Sequence, residues 1–305
     1  MIDIIIPAYN AHDTLYKTLS SIALQTIKDK INVYIINDCS KKNYKKEIDT
    51  FKDIFNIKEI KTKKRLGPGG ARQYGVENSD SNYIMFIDAD DQLYNPFVLN
   101  LLYFNIDKGY DIIIGKEVVN GIRGDYKQSN IHGKIYSRAF LKENNIKFNN
   151  TKYSEDNSFD QITRNITNNI IEINDPVYLY VENKNSLTSK KYKEQEKLTQ
   201  YLYNRIYTTL ELQKRNVDPV KIANILLRGY TYAYLTVKSN KALNNNKLYK
   251  KCYRYELMFL NYEKYLSENE ILENLLKRVN CSNIFANEIL KDFNKFRSKF
   301  REGKK

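Results

Sequence analysis

The first half of the chain alternates short apolar runs with stretches in which apolar residues recur every three or four positions. Ile2–Ile6, Asn32–Ile36, Ile57–Ile60, Tyr83–Asp88 and Asp111–Gly115 have the length and β-branched content of buried strands. Between the first two, Leu15, Leu19 and Ile22 share one helical face, and Asp13 is positioned to cap that helix. Tyr44, Ile48, Phe51 and Phe55 repeat the pattern before the third strand. Asn95-Pro96 reads as a cap followed by a first-turn proline, opening a helix through Leu102. Ser154 reads as the cap of a helix carrying Phe159, Ile162 and Ile166. Strands alternating with helices predict an α/β fold around a mainly parallel sheet.

From about residue 191 the strand signals stop. Helical patterns follow at roughly 194–215, 218–239, 246–266 and 268–300, broken at Asp218-Pro219, at Asn244–Asn246 and near Asn280. The chain therefore divides into an α/β domain over 1–190 and an appended all-α domain over 191–305. It carries no internal repeat and no long low-complexity linker.

Charge sharpens this division. Of a formal net charge of +14 over 305 residues, residues 1–190 carry 26 basic and 24 acidic residues, whereas 191–305 carry 24 basic and 12 acidic. Nearly all of the excess sits in the helical domain. With 42% hydrophobic residues the chain can bury a sizeable core, which excludes wholesale disorder. Cys39, Cys252 and Cys281 have neither disulfide-framework nor metal-ligand spacing, which points to a reducing compartment. The opening apolar run is too short for a signal peptide, and Ile222 to Leu235, the most apolar stretch, is broken by Arg228. A soluble, cytoplasmic protein is expected, with peripheral contact at the inner membrane surface open to its basic domain.

Four segments carry candidate chemistry. The strand ending at Asp88-Ala-Asp90-Asp91 delivers three carboxylates at the edge where α/β sheets bind ligands. Asp88 and Asp90, two apart, point the same way in extended geometry, and such hard oxygen ligands suit Mg²⁺ or Mn²⁺ shared with phosphates. A solvated acidic turn would have the same composition. Asn37-Asp38-Cys39-Ser40 ends another strand, so Asp38 can accept from a base or ribose edge or close a local turn. Gly67-Pro68-Gly69-Gly70-Ala71-Arg72 offers backbone amides and a guanidinium fork to phosphate, yet it matches neither a P-loop nor a dinucleotide fingerprint. Ser154-Glu155-Asp156 puts Asp156 in a first helical turn, where the helix dipole favours the ionised form a general base needs.

As an ordered set, Pro7-Ala-Tyr9-Asn10, Asn-Asp38-Cys-Ser, the Gly-Pro-Gly-Gly-Ala-Arg72 segment, Asp88-Ala-Asp90-Asp91 and Glu155-Asp156-Asn-Ser-Phe resemble the family 2 glycosyltransferases of GT-A fold. The stretch from His132-Gly-Lys134 through Ile146-Lys-Phe148 is similar to the segment leading into that family's catalytic helix. The resemblance covers roughly residues 1–190.

It implies an inverting transferase with a nucleotide-sugar donor, usually a UDP-sugar. Pro7, Tyr9 and Asn10 would line the nucleotide pocket, Asp38 would bond the base, Arg72 would contact base or diphosphate, and Asp88 would meet the ribose. Asp90, with Asp88 and Asp91, would hold Mn²⁺ or Mg²⁺, and Asp156 would be the catalytic base. Asn37 stands where many members carry a further aspartate, and no histidine follows Asp156, where many members supply a metal ligand. Tyr180 to Thr188 resembles the family's donor-side loop.

The basic domain, with Tyr192, Tyr201, Tyr203, Tyr207, Tyr230, Tyr232, Tyr234, Tyr253 and Tyr255 among its cations, fits two readings: a helical bundle with tyrosines in its core, or a surface for a polyanion. A polyanion could be a phosphate-rich envelope polymer, an anionic membrane surface or nucleic acid. The resemblance to family 2 glycosyltransferases, most of which serve envelope glycans, implies an anionic or glycan acceptor of the cell envelope. A transferase acting on DNA bases, a non-catalytic nucleic-acid-binding protein and a metal-dependent nucleotidyltransferase are the alternatives.

Overall fold

The computed structural model describes residues 1–119, 126–127, 131–151, 153–182, 194–240, 243–244, 246–279 and 286–302. By contact the chain divides into two units, Met1–Ser189 and Lys190–Lys305.

In the first unit, β1 (Ile2–Ala8), α1 (His12–Ala23), β2 (Ile31–Asn37), α2 (Lys45–Phe51), β3 (Asn56–Lys61), α3 (Gly67–Glu77) and β4 (Tyr83–Phe86) alternate along the chain. Their strands lie parallel in the order β3-β2-β1-β4. Next come β5 (Gln92–Leu93), α4 (Val98–Tyr103), β6 (Ile112–Val119), β7 (Tyr126–Lys127), β8 (Lys134–Ser137), α5 (Arg138–Glu143), α6 (Glu155–Ile166) and β9 (Ile170–Tyr180). Strand β8 runs antiparallel between β4 and β6, β9 is parallel to β6, and β5 and β7 add antiparallel pairings. The sheet is therefore mixed, with parallel pairing confined to β1–β4 and the β6–β9 pair.

Strand alternation separates two cores. Ile4, Ile6, Val33, Ile35, Met85 and Ile135 face Leu15, Leu19 and Ile22 of α1 and Leu99 and Leu102 of α4. On the other face, Phe86 meets Phe148 and Phe159 of α6 edge-on at 5.2 and 6.0 Å, Tyr136 meets Phe159 at 5.4 Å, and Phe148 stacks on Phe159 at 4.1 Å. Helix α3 lies directly on that face: a Cβ at Gly75 would stand 2.4 Å from the Ile5 side chain.

Three helix starts differ from expectation. Ala11 occupies the cap position of α1 and Asp13 falls in its first turn. Helix α4 begins at Val98, later than expected, although Asn95 Oδ1 accepts from Phe97 N at 2.9 Å, the bond expected of a capping residue. Ser154 precedes α6 with φ 59° and makes no side-chain cap bond.

The second unit is helical: α7 (Glu194–Lys214), α8 (Pro219–Ser239), α9 (Asn246–Glu263), α10 (Glu268–Val279) and α11 (Ala286–Glu302). The stretch expected over 268–300, with its break near Asn280, corresponds to α10 and α11. Tyr230, Tyr234 and Tyr255 are core residues, packed with Phe259, Phe293 and Phe296. Burial removes these three from any role in stacking nucleic-acid bases. Arg297 forms a buried fork to Glu263 at 2.5 and 2.9 Å. Tyr192 lies outside the described residues. Among them, no helix is long and apolar enough to cross a membrane.

Candidate active site

Because β1, β2 and β4 are parallel, with Ala8 level with Asn37, the residues following each strand emerge at one edge of the sheet. Tyr9 and Asn10, Asp38, and Asp88–Asp91 all leave there.

Strand β4 stops at Phe86, earlier than expected, and the chain turns, with Asp91 N donating to Asp88 O at 3.1 Å. Asp88 and Asp90 therefore do not share an extended face. Instead Asp88 and Asp91 converge, and His132 joins them, with one ligand atom from each within 4.8 Å of the others. His132 Nε2 lies 3.2 Å from Asp88 Oδ2, and its ring stacks on Tyr178 at 4.7 Å. The Tyr178 hydroxyl donates to Asp91 Oδ2 at 2.7 Å and accepts from Asp88 N at 3.1 Å. Val181 N donates to the other Asp91 oxygen at 2.9 Å. Two carboxylates and one imidazole form a donor set that fits Mn²⁺ or Mg²⁺, the nitrogen leaning towards Mn²⁺. Asp90, half-buried in the same turn, is outside this group among the described residues.

The electrostatics are those of a crowded anionic site. Burial opposes ionisation of Asp88, but Arg72 and then His132 outweigh it and hold its carboxyl well below the usual range. Burial and the Asp88 charge push Asp91 up to about 7. His132 is disfavoured as a cation by burial, yet Asp88 and Glu117 raise it to about 10.

Arg72, 4% exposed, is the hub. Its Nη2 donates to Asp88 Oδ1 at 2.6 Å and its Nη1 to Glu155 Oε1 at 3.1 Å. The glycine segment expected as a loop is the first turn of α3, and it lies against α6. A Cβ at Gly69 would stand 2.4 Å from Glu155 Cγ, so only glycine admits this approach. Asp156, next to Glu155 in the first turn of α6, is half-buried, and its charge acts on Arg72. Arg72, expected to touch base or diphosphate, has its terminal nitrogens committed to protein carboxylates.

Asp38 is bound within the protein in the same way. It is 3% exposed, and its oxygens accept from Leu66 N at 2.7 Å, Gly67 N at 2.8 Å and Thr62 Oγ1 at 3.0 Å. Its carboxylate clamps the start of α3. Pro7 is half-buried at the end of β1, and Tyr9 is 42% exposed beneath the Arg65 guanidinium, 3.7 Å from the ring centre. Asn10, at φ 51°, accepts from Lys41 N and donates its own N–H to Ser40 Oγ, both at 2.9 Å.

Sequence reasoning missed His132 and Tyr178. Each stands more than forty residues from the aspartates it contacts, and no local spacing marks either. Residues 183–188 of the expected donor-side loop lie outside the described residues.

The family model described as glycosyl transferase family 2 matches residues 3–159. The chain is 27% identical over 183 residues to the poly(ribitol-phosphate) beta-N-acetylglucosaminyltransferase TarP of Staphylococcus aureus (strain N315), a match covering 52% of this chain and 55% of that protein. It is 28% identical over 182 residues to the poly(ribitol-phosphate) beta-glucosyltransferase of Bacillus spizizenii (strain W23), covering 52% of this chain and 28% of that protein. The chain thus spans about half, or less, of the length of these curated relatives. The crystal structure of S. aureus TarS 1-349 in complex with UDP-GlcNAc superposes with a TM-score of 0.74 at 18% identity, over 99% of this chain and 92% of that one. At that identity the likeness is one of fold: a GT-A sheet domain with an appended all-α region.

Proposed function

We propose that this chain, a member of glycosyl transferase family 2, moves a hexose from a UDP-sugar to a hydroxyl of a phosphate-rich cell-envelope glycopolymer, inverting the anomeric centre. The observation that carries this reading is the Arg72 guanidinium, which holds the acidic turn of Asp88 and the first turn of α6, next to Asp156, in one site. The acceptor class is supported by the names of TarP and the Bacillus enzyme, both poly(ribitol-phosphate) transferases, and by the basic excess of residues 191–305.

In this reading Pro7, Tyr9 and Asn10 line the base and ribose end, with the exposed Tyr9 ring offering a stacking face. Asp38 acts through the turn it clamps, and Arg72 acts by fixing Asp88. Asp88, Asp91 and His132, with Asp90 beside them, would hold Mn²⁺ or Mg²⁺. When bound, such an ion neutralises charge developing on the departing diphosphate. Asp156 accepts the proton of the acceptor hydroxyl as its oxygen bonds to the anomeric carbon and the bond to the UDP oxygen breaks. UDP leaves on the opposite face. The reaction belongs on the cytoplasmic side of the membrane, where nucleotide sugars are available.

The test is transfer from a panel of UDP-, GDP- and TDP-sugars to purified poly(ribitol phosphate) with Mn²⁺. UDP-glucose or UDP-N-acetylglucosamine should be consumed, and Asp156→Asn should abolish transfer while UDP affinity stays within about twofold. Normal transfer by Asp156→Asn removes that residue from the role of base.

A further inference from the structure

Asp156 shares the inward side of α6 with a second carboxylate. Asp160 lies one helical turn on, about 6 Å along the axis, and is 4% exposed. Its carboxylate accepts from Lys134 Nζ of β8, a lysine with no exposed surface. Alternation along β8 turns Ile135 towards the α1 side of the sheet, and Lys134 and Tyr136 towards α6, where Tyr136 meets Phe159 edge-on at 5.4 Å. Strand β8 is hydrogen-bonded on both sides, to β4 and to β6. The ammonium is thus fixed to the interior of the sheet.

A buried ion pair is a poor source of stability, since apolar residues of similar volume often serve as well or better. What the pair adds is a single geometry. Apolar packing tolerates small rotations and slides of a helix, whereas a hydrogen-bonded charge pair in a dry interior does not. Glu155, on the other side of Asp156 in sequence, accepts a hydrogen bond from Arg72 of α3. The two pairs stand one residue before and four residues after Asp156, and they are anchored to different elements. Together they fix the rotation of α6 and its height on the sheet. Burial, and to a smaller extent the Asp156 charge, pushes the Asp160 carboxyl up.

We propose that Lys134 and Asp160 are positioning residues for sugar transfer, holding α6 so that Asp156 meets the acceptor hydroxyl. This rests on the reading of Asp156 as the base. Neither residue touches the reacting atoms.

The test uses the full chain, with UDP-GlcNAc, Mn²⁺ and poly(ribitol phosphate) as probes. The double variant Lys134→Met/Asp160→Leu replaces the pair with apolar groups, and Asp160→Glu keeps both charges but lengthens one arm by a methylene. In each, kcat should fall about 10- to 100-fold, while UDP affinity by calorimetry and the KM for UDP-GlcNAc stay within about twofold. The melting temperature of the double variant should stay near that of the wild type. Wild-type kcat in either folded variant overturns the proposal, as does an equal loss of kcat and UDP affinity. Should the double variant fail to fold, Asp160→Glu decides. A wild type that transfers nothing removes the functional reading and this role with it; an active wild type with equally active variants removes this role alone.

Discussion

Arg72 Nη2 stands 2.6 Å from Asp88 Oδ1, tying the helix that opens with the glycine-rich turn to the acidic turn that follows β4. The same guanidinium reaches Glu155 on the helix that begins beside Asp156. Three elements far apart in sequence are thereby held around one buried cation.

Lysine at position 72 would keep the charge but lose the two-sided fork. Arg72→Lys should leave Asp88 or Glu155 without its cation and lose on the order of 3 kcal/mol in chemical denaturation, within the range for breaking buried pairs. Affinity for UDP with Mn²⁺ should fall with it. A variant as stable as the wild type would mean that the guanidinium is not the hub described.

Glu155 gives a pH-dependent prediction. Burial, opposed by Arg72 and aided by Asp156, raises its carboxyl from 4.5 to about 7. The fold therefore favours the protonated form, and the stability this contributes is complete below the unfolded value and is lost as pH rises through about 7. Glu155→Gln mimics the protonated form at every pH. Relative to wild type it should gain on the order of 1–3 kcal/mol between pH 5 and pH 8.5, read by denaturation at both. A difference that does not change with pH would show Glu155 ionised beside Arg72 throughout.

His132 is the one nitrogen donor in the group formed with Asp88 and Asp91. His132→Gln should weaken Mn²⁺ binding in the presence of UDP about 10- to 100-fold, measured by calorimetry or electron paramagnetic resonance. Unchanged Mn²⁺ affinity would leave His132 as a charge partner of Asp88 and not a ligand.

The parallel strands were legible because β1, β2 and β4 are buried on both faces and read as continuous apolar runs. β9 was not: Ile170–Tyr180 is mostly half-exposed, contains Asp175-Pro176, and pairs with β6 through register shifts. Carboxylates at strand ends could be read from spacing, but their grouping could not. The expected Asp88/Asp90 pair assumed that β4 continues, whereas the turn after Phe86 brings Asp88 to Asp91 and both to His132. Asp38 and Arg72 carry side chains suited to a ligand, and only the tertiary structure reveals that the Asp38 oxygens and the two terminal nitrogens of Arg72 are bonded within the protein. In the helical unit, composition could not separate core tyrosines from surface ones; Tyr230 has no exposed surface, while Tyr232 is 39% exposed.

The central claim is that the edge carrying Asp88 grips a nucleoside diphosphate together with a divalent ion. Calorimetric titration of UDP into the full chain with Mn²⁺ tests it most directly. Saturable heat that needs Mn²⁺ and disappears in Asp88→Asn is the predicted result. No heat with UDP, GDP or TDP, or the same heat with Asp88→Asn and with the ion chelated, would contradict it.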